Sequence, residues 1–133
     1  MSIAIVPTPF LRRVWWTDAA VSAVVGVAMV AASGPLGDLI GLPGRLLAMA
    51  GLSLLPYVAF LAWLATRHMV PRAAAWAPVV LNVVWALDCI VIVETRASVG
   101  TLLVAFMALQ VVTVLVFAEL EFIGLRRSSA ILA

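Results

Sequence analysis

Asp88 is an acid inside an apolar run, residues 73–93, that carries no other charged side chain. A carboxyl so placed does one of two jobs: it takes a proton or a cation, or it hydrogen-bonds helices together. Asn82 and Trp85 share that run, and Gln110 sits inside another. Together Asp88, Asn82, Gln110 and Trp85 form a candidate intramembrane polar site, either the lining of a path or interhelical glue. A second group is Asp18, Arg67 and Glu121, charged residues at the borders of three apolar runs. An arginine between two carboxylates can bond both, so these three are expected to form a charge cluster that closes one end of a bundle. The competing reading is that each snorkels separately to the interface.

The remaining reactive residue types occur singly. Cys89 is the only cysteine and His68 the only histidine. An intrachain disulfide, a cysteine-pair metal site and a haem with two histidine ligands are therefore excluded. Cys89, inside an apolar run, reads as a small packing residue, and His68, next to Arg67, as a solvated loop residue. No spacing of nucleophile and base, metal ligands or phosphate-binding glycines stands out. The expectation is a protein that is not an enzyme and has no cofactor and no metal.

The elements that must position these residues are four apolar stretches. Residues 19–37, 46–66 and 97–118 contain uncharged cores, and 73–93 is as long. A helix rises ~1.5 Å per residue, so about 20 residues cross a hydrocarbon layer of ~30 Å. The composition agrees: 66% of residues are apolar and only 11% charged, where soluble domains are nearer half and a quarter. The spacing predicts an all-α membrane protein, an antiparallel up-down-up-down bundle of four transmembrane helices. Its helices are placed at about 14–33, 45–66, 73–94 and 98–123 within a domain spanning 14–123. Tails 1–13 and 124–133 flank it, and their outer parts read as poorly ordered. Gly34-Pro35, Gly37 and Leu42-Pro43-Gly44 mark a first outer loop that lies against the membrane surface, and 95–98 a second, tight turn.

Orientation follows from arginine, the only basic residue type besides His68. Arg12, Arg13, Arg67, Arg72, Arg126 and Arg127 fall on one side, Arg45 and Arg96 on the other. The positive-inside rule then places both termini in the cytoplasm of a bacterial inner membrane, with Trp15, Trp16 and Trp76 in the belt on that side. A cleavable signal peptide fits less well, because the first apolar segment is long and Asp18 interrupts its start. The net charge of +2, dispersed over the loops, argues against nucleic acid as a partner.

Within the helices, polar and bulky residues recur at helical spacing. Asn82, Trp85 and Cys89 share one face, with Asp88 about 60° from Trp85 at ~100° per residue. Phe106, Gln110, Thr113, Phe117 and Glu121 form a second stripe. Asp18, Ser22, Val25 and Met29 form a third, and Met49, Ser53, Phe60, Trp63 and Arg67 a fourth. Asp88 lies about 21 Å from the cytoplasmic end of its helix at ~1.5 Å per residue, in the outer half of the bilayer.

The helix-one acid of small multidrug transporters, the helix-two motifs of glutathione-linked four-helix enzymes and the signature of fluoride channels are all missing. The chain resembles a loose group of uncharacterised small bacterial four-helix integral membrane proteins. The resemblance runs over about residues 11–127. It rests on Asp18 at the start of helix one, Asn82 with Trp85, and Ala118-Glu119-Leu120-Glu121 followed by Gly124-Leu125-Arg126-Arg127. It implies no activity.

With almost no mass outside the membrane, the expected role is a non-enzymatic structural or accessory membrane subunit, or a homo-oligomeric module. Its partners are then the lipid bilayer and other membrane subunits or itself. The alternative is a small proton- or cation-coupled transporter or channel centred on Asp88. A third reading is a lipid-binding protein that uses the Asp18, Arg67 and Glu121 end.

Overall fold

The structure is a computed structural model that describes residues 3–96 and 98–132. Residues 1, 2, 97 and 133 lie outside it, and with them parts of both predicted tails and of the 95–98 turn. In chain order the elements are β1 (Ile3–Val6), α1 (Pro9–Ala31), α2 (Ser33–Ile40), α3 (Gly44–Thr66), β2 (Val70–Pro71), α4 (Arg72–Glu94), α5 (Thr101–Arg127) and β3 (Ser129–Leu132). The four long helices α1, α3, α4 and α5 are each long and apolar enough to cross a membrane.

Helix α1 starts at Pro9, ahead of the predicted residue 14, because Thr8 caps it. The Thr8 Oγ1 atom accepts from the Leu11 backbone N–H at 3.1 Å, and Pro9 fills the first turn, where no amide hydrogen is needed. The predicted loop after α1 is instead the short helix α2. Pro35 sits in its first turn, and Gly41 ends it in the left-handed region at φ 82°. The Gly41 and Leu42 N–H groups both donate back to the Gly37 carbonyl, at 2.8 and 3.0 Å, a common way to close a helix. Ile40 and Leu42 are buried against Leu47 and Leu103, so this segment covers the far end of the helices.

The outer parts of the tails, expected to be poorly ordered, carry strands instead. Residues 3–6 and 129–132 flank one another in a three-stranded antiparallel sheet of order β2-β1-β3. Its register pairs Ile5 with Val70 and with Ala130. The segment Ile3-Ala4-Ile5-Val6, with three β-branched residues, favours strand, and the paired Ile5 and Val70 bury their side chains in the apolar cluster with Leu11 and Trp15. Pro71 is tolerated because β2 is a two-residue edge strand. The sheet brings the N-terminal segment, the α3–α4 connection and the C-terminal segment to one end of the molecule. Arg12 reinforces that end by donating to the Ala65 carbonyl at 2.9 Å and the His68 carbonyl at 3.4 Å, acceptors at the C-terminus of α3 that helix bonding leaves free.

Helix α1 packs along α3, α4 along α5, and α1 also meets α5, whereas α3 and α4 touch sparsely. Two apolar clusters result. One, at the sheet end, contains Ile5, Leu11, Trp15, Leu61, Leu64 and Val70. The other, at the far end, contains Met29, Ile40, Leu47, Cys89, Leu103 and Met107. The polar residues lie between them.

The α1–α3 contact depends on two glycines. A Cβ on Gly51 would lie 2.7 Å from the Gly26 carbonyl oxygen and 2.9 Å from Met29 Cβ and Val30 Cγ2. Nothing lies within 4 Å of a Cβ on Gly34. Gly51→Ala should therefore cost about 1–3 kcal/mol by overpacking, whereas Gly34→Ala should be neutral or gain up to ~1 kcal/mol as a helical glycine replaced. Thermal unfolding in detergent separates the two; equal midpoints would mean that α1 and α3 are not in close contact.

Candidate functional site

Asp18, Tyr57, Asn82 and Glu121 come from four different helices and meet in the interior. The Asp18 carboxylate accepts three hydrogen bonds: from Ser22 Oγ at 3.0 Å, Tyr57 Oη at 2.6 Å and Asn82 Nδ2 at 3.2 Å. The same Asn82 nitrogen donates to Glu121 Oε1 at 2.8 Å, which uses both of its hydrogens. Asp18, Asn82 and Glu121 are 2%, 4% and 0% exposed. Glu121 Oε2 is buried with no hydrogen-bond partner.

Helix phase explains why these four converge, and helix boundaries explain the difference from the expected charge cluster. Asp18 and Glu121 do come together, but not with Arg67. Helix α3 ends at Thr66, and Arg67 is its cap residue in an extended conformation, so the helical phase that would turn it inward no longer applies. Arg67 is exposed, with its guanidinium carbon 5.5 Å from the centroid of the Trp63 ring, an attractive arrangement. The acids also lie deeper than expected. Because α1 begins at Pro9 and α5 runs to Arg127, Asp18 is about 14 Å and Glu121 about 9 Å inside their helices at ~1.5 Å per residue. They form an interior layer rather than an end cap.

Tyr57 is a member of the site that the polar stripes of the sequence do not include. It is the only tyrosine and falls between Ser53 and Phe60 on the inward stripe of α3. A tyrosine hydroxyl on such a face needs a partner, and that requirement was the available signal.

The second polar group is divided. Trp85 Nε1 donates to Gln110 Oε1 at 2.9 Å, linking α4 to α5, and Gln110 Nε2 lies 3.9 Å from Met107 Sδ. Asn82 belongs to the acid layer instead. Asp88 is exposed and stands apart from both hydrogen-bonded groups, on the wall of a cavity.

That cavity lies between the long helices. One lobe of about 530 Å³ is lined by Asp18, Ser22, Tyr57, Asn82 and Asp88 among apolar residues of all four long helices. A second lobe of about 450 Å³ lies toward Leu42 and Met29. Ser53, Trp85, Asp88, Phe106 and Gln110 line both, so the two adjoin along a shared wall. Ser53, Leu81, Val84, Asp88 and Leu109, all within the helix spans, are exposed, so the space reaches the side of the helices. Its volume and its few convergent polar groups match those of small-molecule sites. Among the described residues no three His, Cys, Asp or Glu side chains are grouped to hold a metal ion.

The Tyr57 hydroxyl is the one donor that α3 offers to Asp18. Tyr57→Phe should therefore lower stability by about 1–3 kcal/mol, the cost of leaving a buried acceptor short of a donor. Ser53→Ala should change it by less than ~0.5 kcal/mol, because the Ser53 hydroxyl bonds the Ala50 carbonyl of its own helix at 2.6 Å. Denaturation in detergent monitored by tryptophan fluorescence tests this, and a Tyr57→Phe protein as stable as Ser53→Ala would remove α3 from the network.

No protein-family model, curated protein or solved structure matches this chain, so its functional reading rests on the cavity and the acid layer themselves.

Proposed function

We propose that this protein is a small multi-pass inner-membrane transporter or channel, an up-down-up-down bundle whose cavity takes a small apolar cation. The observation that carries the reading is the cavity wall. It combines the carboxyls Asp18 and Asp88 with the aromatic side chains of Tyr57, Trp85, Phe106 and Phe117. Aromatic faces and a carboxylate both attract a cation, most strongly where water is excluded, and the apolar remainder of the wall accommodates a hydrophobic body. An opening at the side of the helices suits a molecule that arrives through the lipid.

The structural or accessory subunit reading keeps one observation in its favour. An exposed acid in the middle of an apolar helix is costly against lipid, and a neighbouring chain lying over Asp88 would shield it. The two readings separate on ligand binding. The purified protein should bind tetraphenylphosphonium saturably in detergent by equilibrium dialysis, and Asp88→Asn should weaken that binding about tenfold, ~1.4 kcal/mol, without loss of fold. Absence of saturable binding by the wild type would overturn the transport reading and favour the subunit one.

Both termini in the cytoplasm is the orientation proposed, on the six-to-two arginine division. Asp38, exposed on α2, then faces the periplasm. A cysteine placed there by Asp38→Cys should react with a membrane-impermeant maleimide from outside spheroplasts, and labelling only after lysis would reverse the topology.

A further inference from the structure

We infer that Asp18 and Glu121 hold one proton between them, carried on Glu121, and that a cation binding in the cavity releases it. The inference rests on the cavity reading above for its second half only; the proton site stands on the geometry of the pair.

The donors around the two acids are unequally divided. Asp18 receives all of Ser22 and Tyr57 and half of Asn82; Glu121 receives the other half of Asn82 and nothing more. Four donor hydrogens thus leave one buried oxygen, Glu121 Oε2, with no partner. A buried acceptor without a donor is rare and costly. A proton on Glu121 turns that orphan into a donor, and the nearest second acid is Asp18, whose carboxyl is held by the same Asn82 nitrogen that binds Glu121, at 3.2 and 2.8 Å. Two neighbouring carboxyls in an apolar interior share a proton in this way because two adjacent negative charges cannot both be kept there.

Among the described residues no cationic side chain takes the place of that proton. Around the pair, α1 contributes Ser22 and α3 Tyr57, both bonded to Asp18, and α4 the neutral Asn82, bonded to both acids, with Asp88 farther along the cavity wall. The arginines of the sheet end are engaged elsewhere. Arg12 bonds the Ala65 and His68 carbonyls, Arg67 covers Trp63, Arg126 covers Phe122 and Arg127 covers Phe10, while Arg13 and Arg72 are exposed. Strand β1 contributes only Ile3, Ala4, Ile5 and Val6.

Asp18 and Asn82 also line the cavity, so the proton and a bound cation act on the same carboxylate. One positive charge entering beside Asp18 favours the departure of one H⁺ from Glu121 to solvent, and the net charge of the interior is unchanged. Linkage then requires the converse, that protonation expels the cation.

Infrared spectroscopy of the ligand-free protein at neutral pH tests the proton. The wild type should show the carbonyl band of a protonated, buried carboxylic acid. Glu121→Gln, a neutral mimic of the protonated acid, should abolish the band while unfolding within a few degrees of wild type, and Asp88→Asn should leave it intact. A wild type without the band, or a band that survives Glu121→Gln, overturns the proton site. Stabilisation by sodium over choline in a protein that lacks the band would show a metal cation there instead, and also overturns it. Coupling is read by adding tetraphenylphosphonium in weak buffer: wild type should release about one proton per cation bound, and Glu121→Gln none. Binding without release overturns the coupling. An intact band with no binding overturns the cavity reading and leaves the proton site standing.

Discussion

Asn82 donates to Asp18 on α1 and to Glu121 on α5 from one nitrogen on α4, while Tyr57 on α3 completes the set. In a chain whose helices are apolar on most faces, this convergence decides which face of each helix turns inward. Lipid tails solvate leucine and valine as well as another helix does, so apolar burial alone gives little preference for one face. Carboxyls and amides have no such latitude, because each unsatisfied polar group in hydrocarbon costs several kcal/mol. The four helices are therefore oriented by their few polar residues, and the apolar clusters on either side of the polar layer follow from that orientation.

The two ends of the molecule are built differently. At the sheet end, β1, β2 and β3 tie both ends of the chain to the α3–α4 connection, and Arg12 binds carbonyls at the end of α3. Trp76 on α4 meets Phe122 on α5 edge to face, with centroids 5.6 Å apart. Beyond the polar layer such ties are fewer: Trp85 with Gln110, and the cover that Ile40 and Leu42 provide. Helices α3 and α4, fastened near the sheet, touch little elsewhere, and this sparse seam accompanies the open space. Helices pinned at one end and loosely sealed along one seam can keep a cavity without losing their fold.

The four long helices were legible because the signal for them is long and redundant: some twenty apolar residues tolerate an error of several at each end. What depended on single residues was not. The Thr8-Pro9 start of α1 was hidden by the two arginines that follow it, which read as a border although they lie within the helix. Gly34, Pro35 and Gly37 read as loop, yet a proline in the first turn is compatible with α2, and at Gly37 a Cβ would lie 2.6 Å from the Leu42 carbonyl oxygen. The strands were missed because four residues carry little periodicity, and their pairing partners lie at opposite ends of the chain. These boundary errors propagated to the site. Asp18 and Glu121 read as lying at an end because the arginine pairs 12–13 and 126–127 mark borders that α1 and α5 run past, and Arg67 reads as their neighbour because the inward stripe of α3 extends to it although the helix ends at Thr66. Asn82, Trp85 and Gln110, each well inside a helix, were assigned the inward faces they occupy.

The acid layer is not an economical way to hold four helices together. Buried carboxyls impose a desolvation cost that hydrogen bonds recover only in part, and apolar side chains of similar volume in such positions are often as stabilising or more so. Removing one member is a different matter, since it leaves the others without partners. The layer thus contributes a unique arrangement more than it contributes stability. Its donors are also spread unevenly, three bonds to Asp18 and one to Glu121. A purely structural knot would gain by satisfying Glu121 Oε2 as well, and a serine or threonine within reach would suffice. An oxygen left open beside a second carboxyl, Asp18, which itself lines the cavity with Asp88, is instead what the proposed exchange of a proton for a cation would use.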